Sequence, residues 1–459
     1  MASNVSIGTN PITGRESYFG NVKLTPEQIR LINASPMLQS QLRDYGNDVN
    51  SGQMKPMESG DGVATYFDSK HIVLGTSNPG GDAFMLGTLS HEIGHYENRA
   101  NDKAFMARYA VNWRDPEAFN VAALIGSHGE GEAVVNNWQV QQEIRKNTAT
   151  DNTPGTQIDV GGRSTLQEHL DGQHAADVNA GESDTEDRNR LTAVGMNFYV
   201  NGIPTNALDE TYYQYYGKGV GMSAPEPGHV KNVEFTGDKL GNINSMTERW
   251  ASGDIGTQTF NEGRIQSSEM KDSQGNIIST AAYSYARKGG YSVDVRDGAG
   301  HVTKRGEFNA DWSGAVRDYA TDGSSQVTSS NAKNQTTRIV KFDAKGEKTA
   351  ADYMVPDTGK FAVRDFKSAD GGHTVSNCDA EGRVRSEFQY DRDGRPLLSV
   401  DRDENGQATF LVKYEKDGSR TVATVNADGS QTSHIVDKDG KRGQDFTLQP
   451  PEATGSPIA

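Results

Sequence analysis

Residues 379–418 read DAEGRVRSEFQYDRDGRPLLSVDRDENGQATFLVKYEKDG. Glycine recurs at 382, 394, 406 and 418, each time closing a short polar string. Between these turns the chain alternates: Val384, Ser386, Phe388 and Tyr390 fall on one side of an extended segment, and Arg385, Glu387 and Gln389 on the other. Followed outward, the glycine ladder runs from Gly346 to Gly440 at intervals of 11 to 13 residues. A looser version through Gly241, Gly253, Gly263, Gly275, Gly300, Gly314 and Gly323 carries it back toward residue 235. Eight-residue strands joined by tight turns can only pair with their chain neighbours, so residues 235–445 are expected to form an all-β antiparallel meander of repeated hairpins. The end of the chain, 446–459, is expected to be a disordered tail.

Two of the repeats, YDRDGR at 390–395 and YEKDGS at 414–419, resemble the YD-type repeats of bacterial Rhs-like and polymorphic-toxin proteins. That resemblance implies a secreted effector or toxin. The DxDG strings also look like calcium loops, but an EF-hand needs a flanking helix on each side and a Glu at its twelfth position, and strands supply neither.

Composition narrows the function classes. The 459 residues carry 46 Lys+Arg against 62 Asp+Glu, a net charge of −16, which disfavours a nucleic-acid partner or an anionic membrane surface. One cysteine, Cys378, rules out an intrachain disulfide and a Cys-based zinc cluster, leaving His and carboxylates as metal ligands. No apolar run nears 18 residues, so no membrane span is expected, and the first residues contain no classical export signal. Synthesis in the cytoplasm followed by secretion through a dedicated bacterial machine is the expectation.

Before residue 230 the texture is mixed. Thr25-Pro26-Glu27 and Asp115-Pro116-Glu117 read as helix starts, and the polar stretches 147–165 and 177–190 as loops. Within 82–98, DAFMLGTLSHEIGHYEN, Asp82 can cap a helix whose apolar stripe is Met85, Leu89, Ile93 and Tyr96. On the other side of that helix His91 and His95, one turn apart, can reach one metal ion while Glu92 sits beside them as a general base. With 10 His among 459 residues, random placement yields about 0.01 such His-Glu-x-x-His patterns.

A catalytic zinc requires a third protein ligand. Asn98 and Asn101 stand where the metzincin pattern needs Gly and His, which excludes that subclass. Downstream, EGEAVVN at 130–136 lies on a second expected helix ending near Lys146. Here the sequence resembles the gluzincins, metallopeptidases whose third ligand is the Glu of an E-A-x-x-D frame. The resemblance implies Glu132 as the third ligand, with Glu130 as its competitor. Asn136, in place of the family's Asp, would orient a zinc-bound histidine from behind.

The segment Lys70–Gly75 reads as a strand feeding the active-site helix, either an edge strand for extended substrate or a plain core strand. Tyr212, Tyr213, Tyr215 and Tyr216 form a cluster that serves either packing or oxyanion stabilisation.

The expected architecture is therefore an α+β zincin-like domain at 1–230 followed by the meander. The expected function is a zinc metalloendopeptidase holding Zn2+ through His91, His95 and Glu132, with Glu92 as catalytic base. Its substrate would be a protein or a peptidoglycan peptide, and its partners a host target or an immunity protein. The competing reading is a non-catalytic binding protein whose repeats recognise a partner and whose zinc is structural.

Overall fold

The structure is a computed structural model that describes residues 11–62, 65–75, 80–161, 164–203, 209–221, 229–368 and 370–448. Its compact units are Met1–Ala282 and Tyr283–Ala459.

In the first unit the helices are α1 (Pro26–Asn33), α2 (Pro36–Asn50), α3 (Gly81–Tyr109), α4 (Ala118–Thr148), α5 (Ser164–Ala180), α6 (Asp184–Val200) and α7 (Tyr212–Gly217). Thr25 caps α1 through a capping box with Gln28, as its Thr-Pro start leads one to expect. Two expectations need correction. Gly80 rather than Asp82 occupies the N-cap position of α3, and Asp82, inside the first turn, accepts a hydrogen bond from the Thr25 hydroxyl at 3.0 Å. The stretch 177–190 is mostly helical, because Ser183 and Glu186 form a capping box that starts α6 three residues after α5 ends.

A small mixed sheet sits beside these helices. Its strands are β1 (Glu58–Gly60), β2 (Tyr66–Phe67) and β3 (Ile72–Gly75), in the order β1-β3-β2. The segment ending at Gly75 is thus the fully buried central strand, parallel to β1, and the edge facing the site belongs to the antiparallel β2. One core joins Leu31, Leu38, Leu42, Tyr45, Ile72, Leu86, Leu89 and Ile93, and a second joins Val134, Trp138, Leu166, Leu170 and Leu191 on the other side of α4. Among the described residues no helix is long and apolar enough to cross a membrane.

Antiparallel strands begin at β4 (Val230–Gly237) and continue with β5 (Ile243–Trp250), β6 (Ile255–Asn261), β7 (Arg264–Lys271) and β8 (Ile277–Tyr285), each paired with the next. The strand texture therefore starts where the sequence changes, but the compact unit reaches 52 residues past the expected limit of 230, to Ala282. Side chains explain the difference. Asn197 on α6 brackets Phe235, accepting from its N–H at 2.6 Å and donating to its C=O at 2.9 Å. One turn on, Asn201 does the same to Val233 at 2.7 and 2.8 Å. Their i, i+4 spacing matches the i, i+2 spacing of the strand, so two amides satisfy β4 as a neighbouring strand would. The Tyr109 hydroxyl likewise accepts from Ile243 N–H at 2.7 Å.

The second unit is a meander from β9 (Tyr291–Asp297) to β22 (Phe446–Leu448), with every consecutive pair antiparallel. Phe446–Leu448, expected in a disordered tail, pairs with residues 431–433, and 449–459 lie outside the described residues. The turn chemistry accounts for the ladder. At the Asp391 turn, Gly394 N–H reaches Asp391 C=O and Asp391 N–H reaches Arg395 C=O, while Asp391 Oδ1 accepts from the N–H of Asp393 and Arg395 at 2.8 and 2.9 Å. Gly394 takes φ +80°, the left-handed position that closes a type I turn with a bulge. Asp403 and Asp437 repeat this pattern, so the carboxylates that look like calcium ligands in sequence bind the amides of their own turns.

Candidate metal centre

The site is built where α3 crosses α4. Gly94 lies in the contact: a Cβ there would fall 2.8 Å from Ala133 Cα and 2.9 Å from Ala133 O, so only glycine lets the two helices approach this closely. The approach brings Glu130 of α4 to the two histidines of α3. Glu130 Oε2 lies 3.1 Å from His91 Nε2 and 3.7 Å from His95 Nε2, and the three ligand atoms all fall within 4.8 Å of one another.

Glu132 does not join them. Two residues along a helix is a rotation of about 200°, which turns Glu132 away from the metal face. It accepts from Arg188 Nη2 at 2.6 Å and Thr192 Oγ1 at 3.3 Å, and it lines a separate cavity of about 480 Å3 together with His128. Among the described residues the group that could hold a metal thus contains Glu130, the competitor, and not Glu132. Asn136 is corrected as well: its side chain donates to Ser90 O at 2.8 Å and accepts from Gln41 Nε2 at 2.5 Å, tying α4 to α3 and α2 instead of orienting a histidine. His91 Nδ1 is buried without a hydrogen-bond partner among the described residues.

Two imidazoles and a carboxylate are a donor set that suits zinc. Zinc bonds of ~2.0–2.1 Å space ligand atoms by roughly 3.3 Å, close to the two histidine–carboxylate distances, and His91, His95 and Glu130 line a cavity of about 500 Å3. Electrostatics couple the three groups. Burial drives the Glu130 carboxyl up, but hydrogen bonds from His91 and His95 overcome it and hold the group well below the usual carboxylate range. Burial pulls the His95 imidazole down, yet the hydrogen bond and charge of Glu130, with Glu92 and Asp102, raise it to about 9. Glu92 is buried beside them, and desolvation raises its carboxyl above the ordinary value despite both histidines and the Phe67 N–H. A raised carboxyl is a stronger base.

Tyr216 is one of the four tyrosines of the sequence cluster, and its hydroxyl donates to Glu130 Oε1. Burial and the Glu130 charge push its phenol well above its ordinary value, so it remains a donor. Tyr212 and Tyr215 line the same cavity, whereas Tyr213 turns toward β5. Tyr199 stacks on His91 with ring centres 5.6 Å apart. Beside the metal cavity a second space of about 320 Å3, lined by Phe84, Phe198, Tyr199 and Ile203, adjoins His91 and Glu92.

No protein-family model matches the chain, and no curated protein does. Among solved structures, a TarM mutant of S. aureus in complex with Fondaparinux, alpha-GlcNAc-glycerol and UDP is 13% identical with a TM-score of 0.19, covering 24% of this chain and 21% of that one. The TcdB2-TccC3 structure is 11% identical at a TM-score of 0.20, covering 49% and 15%. A Bacteroides caccae protein of unknown function is 10% identical at 0.13, covering 45% and 78%. The chain spans about a fifth or less of the first two, and none of these scores describes a shared fold.

Proposed function

We propose that the first unit is a zinc-dependent peptidase with His91, His95 and Glu130 as ligands and Glu92 as general base. The observation that carries this reading is the convergence of two imidazoles and a carboxylate within 4.8 Å, beside a second buried carboxylate and an open cavity. Zinc, when bound, supplies Lewis-acid polarisation and makes a water molecule acidic enough to be deprotonated near neutral pH. Glu92 takes that proton and delivers it to the nitrogen of the departing amine, a shuttle for which its raised basicity suits it.

A peptide is the substrate class favoured by the cavity wall. β2 lies at the edge of its sheet, and Thr65, Tyr66, Phe67 and Ser69 line the cavity. The Phe67 N–H is hydrogen-bonded to Glu92, so this edge strand lies against the reacting centre, where an extended chain can align beside it. The neighbouring apolar space beside His91 suits a substrate side chain next to the scissile bond. The turn repeats support the wider proposal of a secreted effector or toxin acting on a protein or a peptidoglycan peptide.

Chelator-stripped protein reloaded with zinc should cleave an unstructured protein substrate, with activity returning in step with zinc content. Zinc bound at one equivalent with no cleavage in a proteome-wide screen would favour the structural-zinc, partner-binding reading instead.

A further inference from the structure

α7 is six residues long, too short to hold its shape alone, so its position is set by what it touches. It carries two tyrosines three positions apart whose hydroxyls engage different elements. Tyr216 donates to Glu130 Oε1, while the other oxygen, Oε2, lies near His91 and His95. Tyr213 meets Glu248 Oε1 on β5 and lies 2.8 Å from Asn120 Oδ1. Both carboxylates are more than nine-tenths buried.

The rings are seated as firmly as the hydroxyls. Tyr216 lies over Gly126, where a Cβ would come 2.1 Å from the ring, and Tyr213 packs edge-on against Phe119 at 5.1 Å. Phe119 in turn lies against Gly217 at the end of α7. With both faces fixed, the helix has little freedom to shift along α4.

We propose that α7 is a clamp through which the docking of β5 positions the third metal ligand. Glu248 and Tyr213 fix the helix, and Tyr216 fixes the rotation of the Glu130 carboxylate so that Oε2 stays toward His91 and His95. The inference rests on the metal reading above. It makes Tyr213 and Glu248 positioning residues for a centre that neither touches, and it gives the first strands of the sheet a role in building that centre.

Zinc affinity of the full chain, measured by competition with a chromophoric chelator, tests the clamp. Tyr216→Phe should weaken binding about tenfold, within the range for lost ligand-orienting partners. Tyr213→Phe should weaken it several-fold, and the double variant should bind as Tyr216→Phe does, because Tyr213 acts only through Tyr216. Glu248→Gln, which keeps an acceptor and a donor, should retain the affinity that Glu248→Leu loses. Additive effects of the two tyrosine changes, or a Tyr213→Phe variant of lowered Tm and unchanged zinc affinity, would overturn the proposal. Should Tyr213→Phe not fold, Glu248→Leu carries the same comparison. If the parent chain binds no zinc, the metal reading fails, and the 13Cζ resonance of Tyr216 in the metal-free protein decides the clamp: a shift on Tyr213→Phe supports it, and an unmoved resonance overturns it.

Discussion

Glu130 and Glu132, two positions apart on α4, serve opposite faces of the helix: the first lies 3.1 Å from His91 Nε2 and the second 2.6 Å from Arg188 Nη2. A single residue separates the proposed metal ligand from an ion pair with Arg188. The geometry of the candidate metal site follows from that rotation.

Glu130→Ala should therefore abolish tight zinc binding, whereas Glu132→Ala should keep about one zinc per chain and lose stability. Removing Glu132 strips Arg188 of its carboxylate partner, and since Arg188 is partly exposed the cost should be about 1–3 kcal/mol. Metal analysis and thermal unfolding of both variants check this pair of outcomes.

Gly94→Ala sets two effects against each other. Alanine raises helix propensity by about 1 kcal/mol, but the added methyl meets the α4 backbone, and overpacking of this kind costs about 1–3 kcal/mol. The clash is with backbone atoms that no side-chain rotation relieves, so it should win. Tm and zinc affinity should fall together in calorimetry and chelator competition, and a stabilised variant would contradict the close helix crossing.

Glu248 offers a pH test away from the metal. Burial raises its carboxyl, while the hydrogen bonds from Tyr213, Gln258 and Asn120 oppose that rise without cancelling it. The Tyr213 hydroxyl donates to Oε1, and Oε2 accepts from Asn120 and Gln258 at 3.1 and 3.0 Å. A carboxyl raised in the folded state contributes stability below its unfolded value of about 4.5, and that contribution is lost as pH rises through the folded value. Glu248→Gln removes this titration, so the parent should lose Tm relative to the variant as pH rises from below about 4.5. A difference that does not change with pH would contradict a raised Glu248 carboxyl.

Truncation separates the compact units. A chain ending at residue 282 keeps the Asn197 and Asn201 brackets on β4 and the Glu248 contact to α7, and should fold and bind zinc. One ending at 230 exposes Tyr109, Asn197, Asn201 and Tyr213 without their partners and should be unstable or metal-poor. Limited proteolysis and metal analysis of the two chains decide between these limits.

Much of this was legible in the sequence because it is local. The Asp and Gly of each turn answer to hydrogen bonds within five residues, and the capping box of Thr25 and Gln28 spans four. His91 and His95 share a helix face for the same reason. What escaped depends on contacts distant along the chain. The E-A-x-x-N frame pointed to Glu132, but the rotation of α4 against α3 is set by the Gly94 crossing and by Arg188 on α6. The limit of the first unit depends on amides of α6 that meet β4 more than thirty residues later. The helical nature of 177–190 was available locally, since Ser183 and Glu186 stand at capping-box spacing, but the polar composition masked it.

The central claim is that Glu92 is the base of a zinc-dependent hydrolysis, and one comparison tests it most directly. Parent and Glu92→Gln chains, each loaded with zinc and measured for metal content, are assayed side by side on an unstructured protein substrate. All three ligands remain in the variant, so it should hold the same zinc and lose roughly 10²–10⁴-fold in cleavage rate. Equal cleavage by the two zinc-loaded chains, or none by either, would contradict the account.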